Sequence, residues 1–419
     1  MNASEQLKVL FLTSSYPRSK EDNASVFLRY MAEALASQGI TIHVVAPAEG
    51  SGATTIEGKI AVQRFQYFFR RFQKLAYGSG MIANLKRNPW LWLEVPFFIA
   101  GMLYAALRAL HKDQIDVIHA HWIIPQGIVG AIARRLFKIP LVTTAHGADA
   151  FALRNPLTKF LKRVVINRSD AFTANTRATS QAIGTPNCMR ATRIIPMGVN
   201  VDLFRTGSST ALRQELAETQ FLILFVGRLI EKKGCHDLLL ALSLLNPSLL
   251  RQTKLWIVGD GDQKTSLEKQ VKKLALRENV RFWGSINNQN LPDFYAAADL
   301  FVAPSTQAAS GDTEGQGVVL LEAFAAQVCA IATRIGGIEE VITNGVTGLL
   351  VQPNSPQELA TAIESLLNHP KLRAQLAANA FEEVTGRYSW NRIAAQFETI
   401  YRDLVNYSHC GCDKRRGCN

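Results

Sequence analysis

FLILFVGRLIEKKG, residues 221–234, opens with six consecutive apolar residues, closes them with Gly227 and then delivers a cluster of charge. A short uninterrupted apolar run of this kind is a strand buried on both faces, as in parallel sheets covered by helices on either side. Downstream, KLWIVGDG (254–261), VRFWGS (280–285), LFVAPS (300–305), CAIATR (329–334) and GLLVQP (348–353) repeat the type, with helical stretches between them. Upstream, the same alternation runs through KVLFLTSS (8–15), ITIHVVAP (40–47), IDVIHAHW (115–122), PLVTTAHG (140–147), AFTANT (171–176) and RIIPMG (193–198). Phe27, Met31 and Leu35 give the first helix its apolar spacing and Gly39 its stop; further helices are expected at 127–137 and around 159–167. The stretch between the two series, GVNVDLFRTGSST (198–210), has little periodicity and reads as a linker.

The expected fold class is therefore α/β, with two doubly wound, parallel-sheet Rossmann-like domains in tandem. The boundaries read as 1–204 for the first domain and 205–389 for the second, with a helix over 390–406 rejoining the first and a tail over 407–419. Ligands of such sheets bind beyond the carboxyl ends of the strands, so two units facing each other place a substrate in the cleft between them.

Composition bounds the function classes. The 419 residues suffice for roughly two to three domains. With 47% hydrophobic and 19% charged residues, the chain is neither disordered nor collagen-like, and it shows no short repeat of a solenoid. Its six cysteines include three isolated ones, Cys188, Cys235 and Cys329, which suggests a reducing compartment rather than a disulfide framework. Cys410, Cys412 and Cys418 lie with His409 in a polar tail without zinc-ribbon spacing, and read as a frayed end. MNASEQLKVLFLTSS has no basic leader and reads as a first strand, so a cytoplasmic protein is expected. Val95–Leu107 carries no charge, yet at thirteen residues it falls short of the ~20 a membrane span needs.

The net charge of +12 is unevenly placed. Residues 1–205 hold 25 Lys/Arg against 12 Asp/Glu, and residues 206–419 hold 21 against 22. An anionic partner for the first half follows. Between Phe65 and Leu110, FQYFFRRFQK, LKRNPWLWLEVPFF and LRALHK interleave aromatic and basic residues. Such a segment is either a core helix between solvated basic turns or a membrane-surface patch, and the charge asymmetry favours a patch for an anionic membrane surface. No nucleic-acid motif accompanies it, so nucleic acid is not an expected partner.

Several residues just after strands could carry chemistry. Arg228 and Lys233 follow the first strand of the second half at a spacing that lets both reach one anion; a diphosphate suits them, and a solvated turn is the alternative. In GDTEGQGVVLLEA (311–323) a Gly-rich loop runs into an apolar helix, whose free N–H groups at Gly317, Val318 and Val319 would face a phosphate or sugar. Glu314 and Glu322 could each hold a vicinal diol, or act as a capping and a solvated glutamate; a glycosidase-like acid and base pair is disfavoured by their helix geometry. His146, with Gly147 and Asp149 after it, ends a first-half strand and could hydrogen-bond a substrate hydroxyl, or be structural. His119 and His121 read as loop and core contacts, because no third metal ligand accompanies them. Asp260-Gly261-Asp262 is a weak metal signal, and Gly259 and Gly261 more simply let a backbone approach a ribose or base. No Walker sequence is present and no Gly-x-Gly-x-x-Gly follows the first strand, which argues against an ATPase and a dehydrogenase.

Taken in order, HAHWIIPQG (119–127), HGAD (146–149), IPMGVNVDLF (195–204), VGRLIEKKG (226–234), VGDG (258–261), FVAPS (301–305), the Glu314/Glu322 pair, GGIEEVI (336–342) and NGVTGLLV (344–351) resemble the retaining glycosyltransferases of GT-B fold, family four. The resemblance spans nearly the whole chain. It implies a GT-B fold and transfer of a hexosyl group from a UDP- or GDP-hexose to a glycan or lipid-linked acceptor, in cell-surface polysaccharide or glycolipid synthesis. It assigns Arg228 and Lys233 to the donor diphosphate, Glu314 to donor-sugar hydroxyls, Glu322 to the ribose and His146 to the neighbourhood of the sugar. Gly227, Gly259, Gly315, Gln316, Gly317, Val318 and Val319 would line the donor. The nucleotide sugar is a substrate, no cofactor or metal is implied, and the location implied is cytoplasmic or peripheral on the inner membrane face. One departure stands out: where relatives carry a Gly-rich loop after the first strand, this chain reads SSYPRSKEDNASVF (14–27). The acceptor residues are not legible. A nucleotide-sugar epimerase or hydrolase of the same fold, which turns over donor without acceptor, and a nonenzymatic nucleotide-sugar-binding subunit are the alternatives; the intact charged set argues against the latter.

Overall fold

The computed structural model describes residues 6–19, 21–49, 54–78, 80–152, 155–184, 192–217 and 220–409. Cys188 and the tail cysteines Cys410, Cys412 and Cys418 lie outside them, while Cys235 and Cys329 are buried thiols. The first half forms an eight-stranded sheet from β1 (Lys8–Leu12), β2 (Thr41–Pro47), β3 (Thr55–Glu57), β4 (Ile60–Phe65), β5 (Val117–His121), β6 (Leu141–Ala145), β7 (Ala171–Ala174) and β8 (Arg193–Ile194). The second forms a six-stranded sheet from β9 (Phe221–Val226), β10 (Thr253–Val258), β11 (Val280–Gly284), β12 (Leu300–Ala303), β13 (Ala330–Thr333) and β14 (Leu349–Val351).

Strand order is β3-β4-β2-β1-β5-β6-β7-β8 in the first sheet and β11-β10-β9-β12-β13-β14 in the second. Every pairing is parallel except β3 with β4. The two doubly wound parallel sheets are as expected, with an antiparallel hairpin added at one edge of the first, turning at Gly58 (φ +58°). The apolar runs divide by alternation: along β9, Ile223 and Phe225 enter the core on one face and Leu222, Leu224 and Val226 the core on the other.

The last helix, Trp390–His409, returns to the first sheet, where Trp390, Ile393, Phe397, Ile400 and Tyr401 join its core. The linker is packed rather than loose. Val199 N–H donates to the Tyr388 carbonyl at 2.9 Å, and a Cβ at Gly198 would lie 2.7 Å from the Trp390 ring.

The apolar helical stretch is longer than the sequence suggested. It covers 24 residues, Pro89–Lys112, enough by length and composition to cross a membrane. Phe98, Met102, Ala105, Ala106 and Ala109 nevertheless pack it on the first sheet as a layer of the domain. Its outward side carries Trp90 at 79% and Tyr104 at 69% exposure, with Trp92 and Phe97 also exposed. The helix Ile128–Phe137 packs beside it and Pro156–Arg168 beside that, and they expose Leu136, Leu157 and Phe160.

Candidate functional site

In the second sheet the strand order reverses between β9 and β12, the place in open α/β sheets beyond whose strand ends ligands bind. Arg228 and Lys233 lie on the first of these loops, and Glu314 and the start of helix Val318–Ala325 on the second. Glycines let the loops nest. At Gly234 (φ +65°) a Cβ would fall 1.8 Å from the Pro304 carbonyl oxygen, and at Gly259 1.9 Å from that of Gly227. Gly261 leaves room in the same way for the Leu229 carbonyl, so Gly259 and Gly261 each admit a neighbouring main-chain carbonyl.

Lys233 Nζ donates to Glu314 Oε2 at 2.5 Å, and both side chains are largely buried. Burial pushes the Glu314 carboxyl up, but the Lys233 and Lys232 ammonium groups, the Lys233 hydrogen bond and the nearby Arg228 outweigh it and hold the pKa at about 2. Glu322 is tuned the other way. Burial raises it to about 7, and the Tyr295 hydroxyl at 2.8 Å and the field of Lys233 offset that only in part. Gly317 (φ +79°) caps the helix, and the N–H groups of Gly317, Val318 and Val319 precede its first internal bond, Leu320 N–H to the Gly317 carbonyl.

Gln316 holds the domains together. Its side chain accepts from Met197 N–H at 2.7 Å and donates to the Met197 carbonyl at 3.0 Å. Gly315 meets Gly147 of the first domain: a Cβ on Gly147 (φ +101°) would lie 2.9 Å from the Gly315 Cα. Thr176 Oγ1 donates to the Gly315 carbonyl at 2.9 Å, and Gly337 N–H donates to the Glu314 carbonyl at 3.1 Å. The loop that carries Glu314 is therefore fastened from both domains.

His146 ends β6 directly opposite. Its ring is enclosed by Phe27, Trp122 and His121, with His121 Nδ1 3.2 Å from His146 Nε2, and burial lowers its pKa to about 3. The neutral ring can donate or accept one hydrogen bond but carries no charge. Asp149 is a brace: its carboxylate accepts from the amides of His146 at 3.1 Å and Ile123 at 2.9 Å, tying together the loops after β6 and β5. His119 spends both ring nitrogens on Tyr401 and Thr144 at 2.7 Å, as a core residue does.

Four features were not anticipated from sequence. Lys232 is buried against the Glu314 loop, Tyr295 backs Glu322, and His121 partners His146. Asn23, in the loop without glycines, bridges the cleft: it donates to the Ile286 carbonyl at 2.7 Å and accepts from Asn288 N–H at 2.9 Å, while Tyr30 reaches Asn288 Oδ1 at 2.6 Å.

Two family models match this chain. Residues 24–203 match the one described as Glycosyltransferase Family 4, and residues 209–383 match Glycosyl transferases group 1. A D-inositol 3-phosphate glycosyltransferase of Geodermatophilus obscurus is 31% identical over 74% of this chain and 71% of its own length. The N-acetyl-alpha-D-glucosaminyl L-malate synthase of Bacillus anthracis is 28% identical over 76% of this chain and 82% of its own. Among solved structures, Anabaena HepE in complex with UDP-glucose superposes with a TM-score of 0.71 at 25% identity, over 95% of this chain and 100% of that one.

Proposed function

Because this chain belongs to the group 1, family four glycosyltransferases of GT-B fold, we propose that it transfers a hexosyl group from a UDP- or GDP-hexose to a glycan or lipid-linked acceptor with retention of configuration. The observation that carries the reading is the meeting of Lys233 with Glu314 at the strand-order reversal of the second sheet, within 2.5 Å of each other and beside Arg228. Two cations and a helix N-terminus gather where a diphosphate would leave. A carboxylate held ionised beside them accepts the hydroxyls of the sugar.

In the proposed step the bond from the anomeric carbon to the diphosphate oxygen breaks and the acceptor oxygen bonds to that carbon on the same face. The acceptor proton passes to the departing phosphate oxygen. The reaction needs no protein nucleophile, and charge accumulates on the diphosphate, next to Lys233 and Arg228. Glu322 holds the ribose diol, and His146 presents a neutral ring and a carbonyl to the sugar from the first domain. The side-chain cations and helix end serve the part a divalent metal plays in other transferases, and the reading includes no metal.

The acceptor side rests on the outer face of the first domain. Trp90, Trp92, Phe97, Tyr104, Leu136, Leu157 and Phe160 are exposed there among Arg87, Arg108, Arg135 and Lys159, the composition that settles on an anionic lipid surface. This composition supports a peripheral location on the inner membrane face. HepE, which binds UDP-glucose, supports a UDP-hexose as the first donor to try. The test is a thermal-shift and turnover panel of UDP-, GDP- and ADP-hexoses with and without chelator. One of the first two is expected to raise the Tm and to be slowly hydrolysed in chelator. A panel without any shift would overturn the reading.

A further inference from the structure

Three consecutive residues after β9 each grip the loop after β12. The Glu231 carboxylate accepts from Ala309 N–H at 2.9 Å. The Lys232 ammonium reaches the Asp312 carboxylate at 3.1 Å and donates to the Thr313 carbonyl at 3.1 Å. Lys233 donates to Glu314 at 2.5 Å. The backbone adds Thr306 N–H to the Lys232 carbonyl at 2.8 Å. Of the two lysines, Lys232 is the more enclosed, at 8% exposure, and its ammonium is directed at the residues immediately before Glu314.

We propose that Lys232 is a positioning residue for the Glu314 loop, holding Asp312 and Thr313 so that Glu314 keeps its place while Lys233 serves the donor diphosphate. The division of labour rests on the transferase reading of Lys233. An ammonium has three donors; Lys233 gives one to Glu314 and has two for phosphate oxygens. As a donor enters and its charge grows, Lys233 is pulled toward the diphosphate, and a Glu314 fastened through Lys233 alone would be pulled with it. Fixing the main chain one residue earlier separates the two demands. Gly311 (φ +79°) at the head of this turn supplies little stiffness of its own. Removing the Lys232 charge would leave the Asp312 carboxylate and the Thr313 carbonyl without it in a largely enclosed site.

The test compares the full-length wild type with Lys232→Met, Lys232→Arg and Lys233→Met. Three quantities are measured: hydrogen exchange across 306–317 without ligand, the Kd of UDP and GDP by calorimetry, and the hydrolysis rate of UDP-glucose. Lys232→Met should speed exchange across the loop about tenfold and slow hydrolysis about tenfold or more, with nucleotide Kd within about threefold. Lys232→Arg, which keeps a buried cation with donors, should recover much of the rate. Lys233→Met should weaken nucleotide binding instead. Unchanged exchange in Lys232→Met would overturn the proposal, as would a loss of nucleotide affinity equal to that of Lys233→Met, which would make Lys232 a diphosphate ligand. Should Lys232→Met not fold, Asp312→Asn reports on the same contact by exchange. If the wild type binds neither nucleotide, the transferase reading fails, while the exchange comparison still decides the role of Lys232.

Discussion

Glu314 and Glu322 lie eight residues apart on one loop and helix, yet their surroundings drive their protonation in opposite directions. Glu314 is ionised throughout the physiological range, and a carboxylate that orients the sugar matters most at the transition state. Glu314→Gln is expected to lower the donor hydrolysis rate about a hundredfold with KM for the donor within about threefold, as steady-state kinetics would record. Glu322, at about 7, is half protonated near neutrality. Because the ribose hydroxyls need an acceptor, UDP affinity should rise about tenfold between pH 6 and 8 and level off above, and Glu322→Gln should flatten that dependence. The stability effect has the opposite sign. The folded state keeps a proton on Glu322 that the unfolded chain, at its ordinary value of 4.5, gives up, so the folded state loses stability as pH rises from that value through about 7. Denaturation midpoints from pH 5 to 8 should fall more steeply for the wild type than for Glu322→Gln.

At the scale of elements, the site is three nested loops, and their glycines are its tightest tolerance. Gly234 combines a positive φ with a carbonyl oxygen 1.8 Å from where a Cβ would sit. Gly234→Ala is therefore expected to destabilise the protein by about 2–4 kcal/mol in urea titrations, whereas the substitution at Gly386, with open space around it, should stay within about 1 kcal/mol. The strands of these loops were legible because β9, β12 and the LWIV stretch of β10 are uninterrupted apolar runs closed by glycine or proline. The β3–β4 hairpin was not: Thr55–Glu57 is three exposed residues, and IAVQRF mixes polar with apolar positions. Within the site, charge at a strand end pointed to Arg228 and Lys233, and a Gly-rich loop running into an apolar helix pointed to Glu314 and Glu322. The division between Lys232 and Lys233 was hidden because two adjacent lysines look alike in sequence, and only the path of the loop after β12 tells them apart. Tyr295 gave no signal and His121 read only as a loop or core contact, since each is an aromatic residue in a buried element until its partner is known.

Over the whole molecule, the two domains touch through Gly147 and Gly315, through Gln316 on Met197 and through the Asn23–Asn288 bridge. These contacts set the His146 carbonyl of one domain against the Glu314 loop of the other, 3.0 Å from where a Cβ on Gly315 would sit. The outer face of the first domain points its exposed aromatic residues away from the sheet core. Replacing Trp90, Trp92 and Tyr104 by Ser together should lower binding to vesicles rich in anionic lipid about tenfold or more, and added salt should weaken wild-type binding. Equal flotation of variant and wild type would return that face to simple solvent exposure. In the proposed function, the Lys233–Glu314 pair binds and activates a nucleotide sugar. The most direct measurement is release of nucleoside diphosphate from UDP- and GDP-hexoses by wild type, Glu314→Gln and Lys233→Met side by side, in chelator. The wild type is expected to release it from at least one donor, with loss of rate in Glu314→Gln and loss of both rate and affinity in Lys233→Met. Release at the same rate by all three proteins would contradict the proposed function.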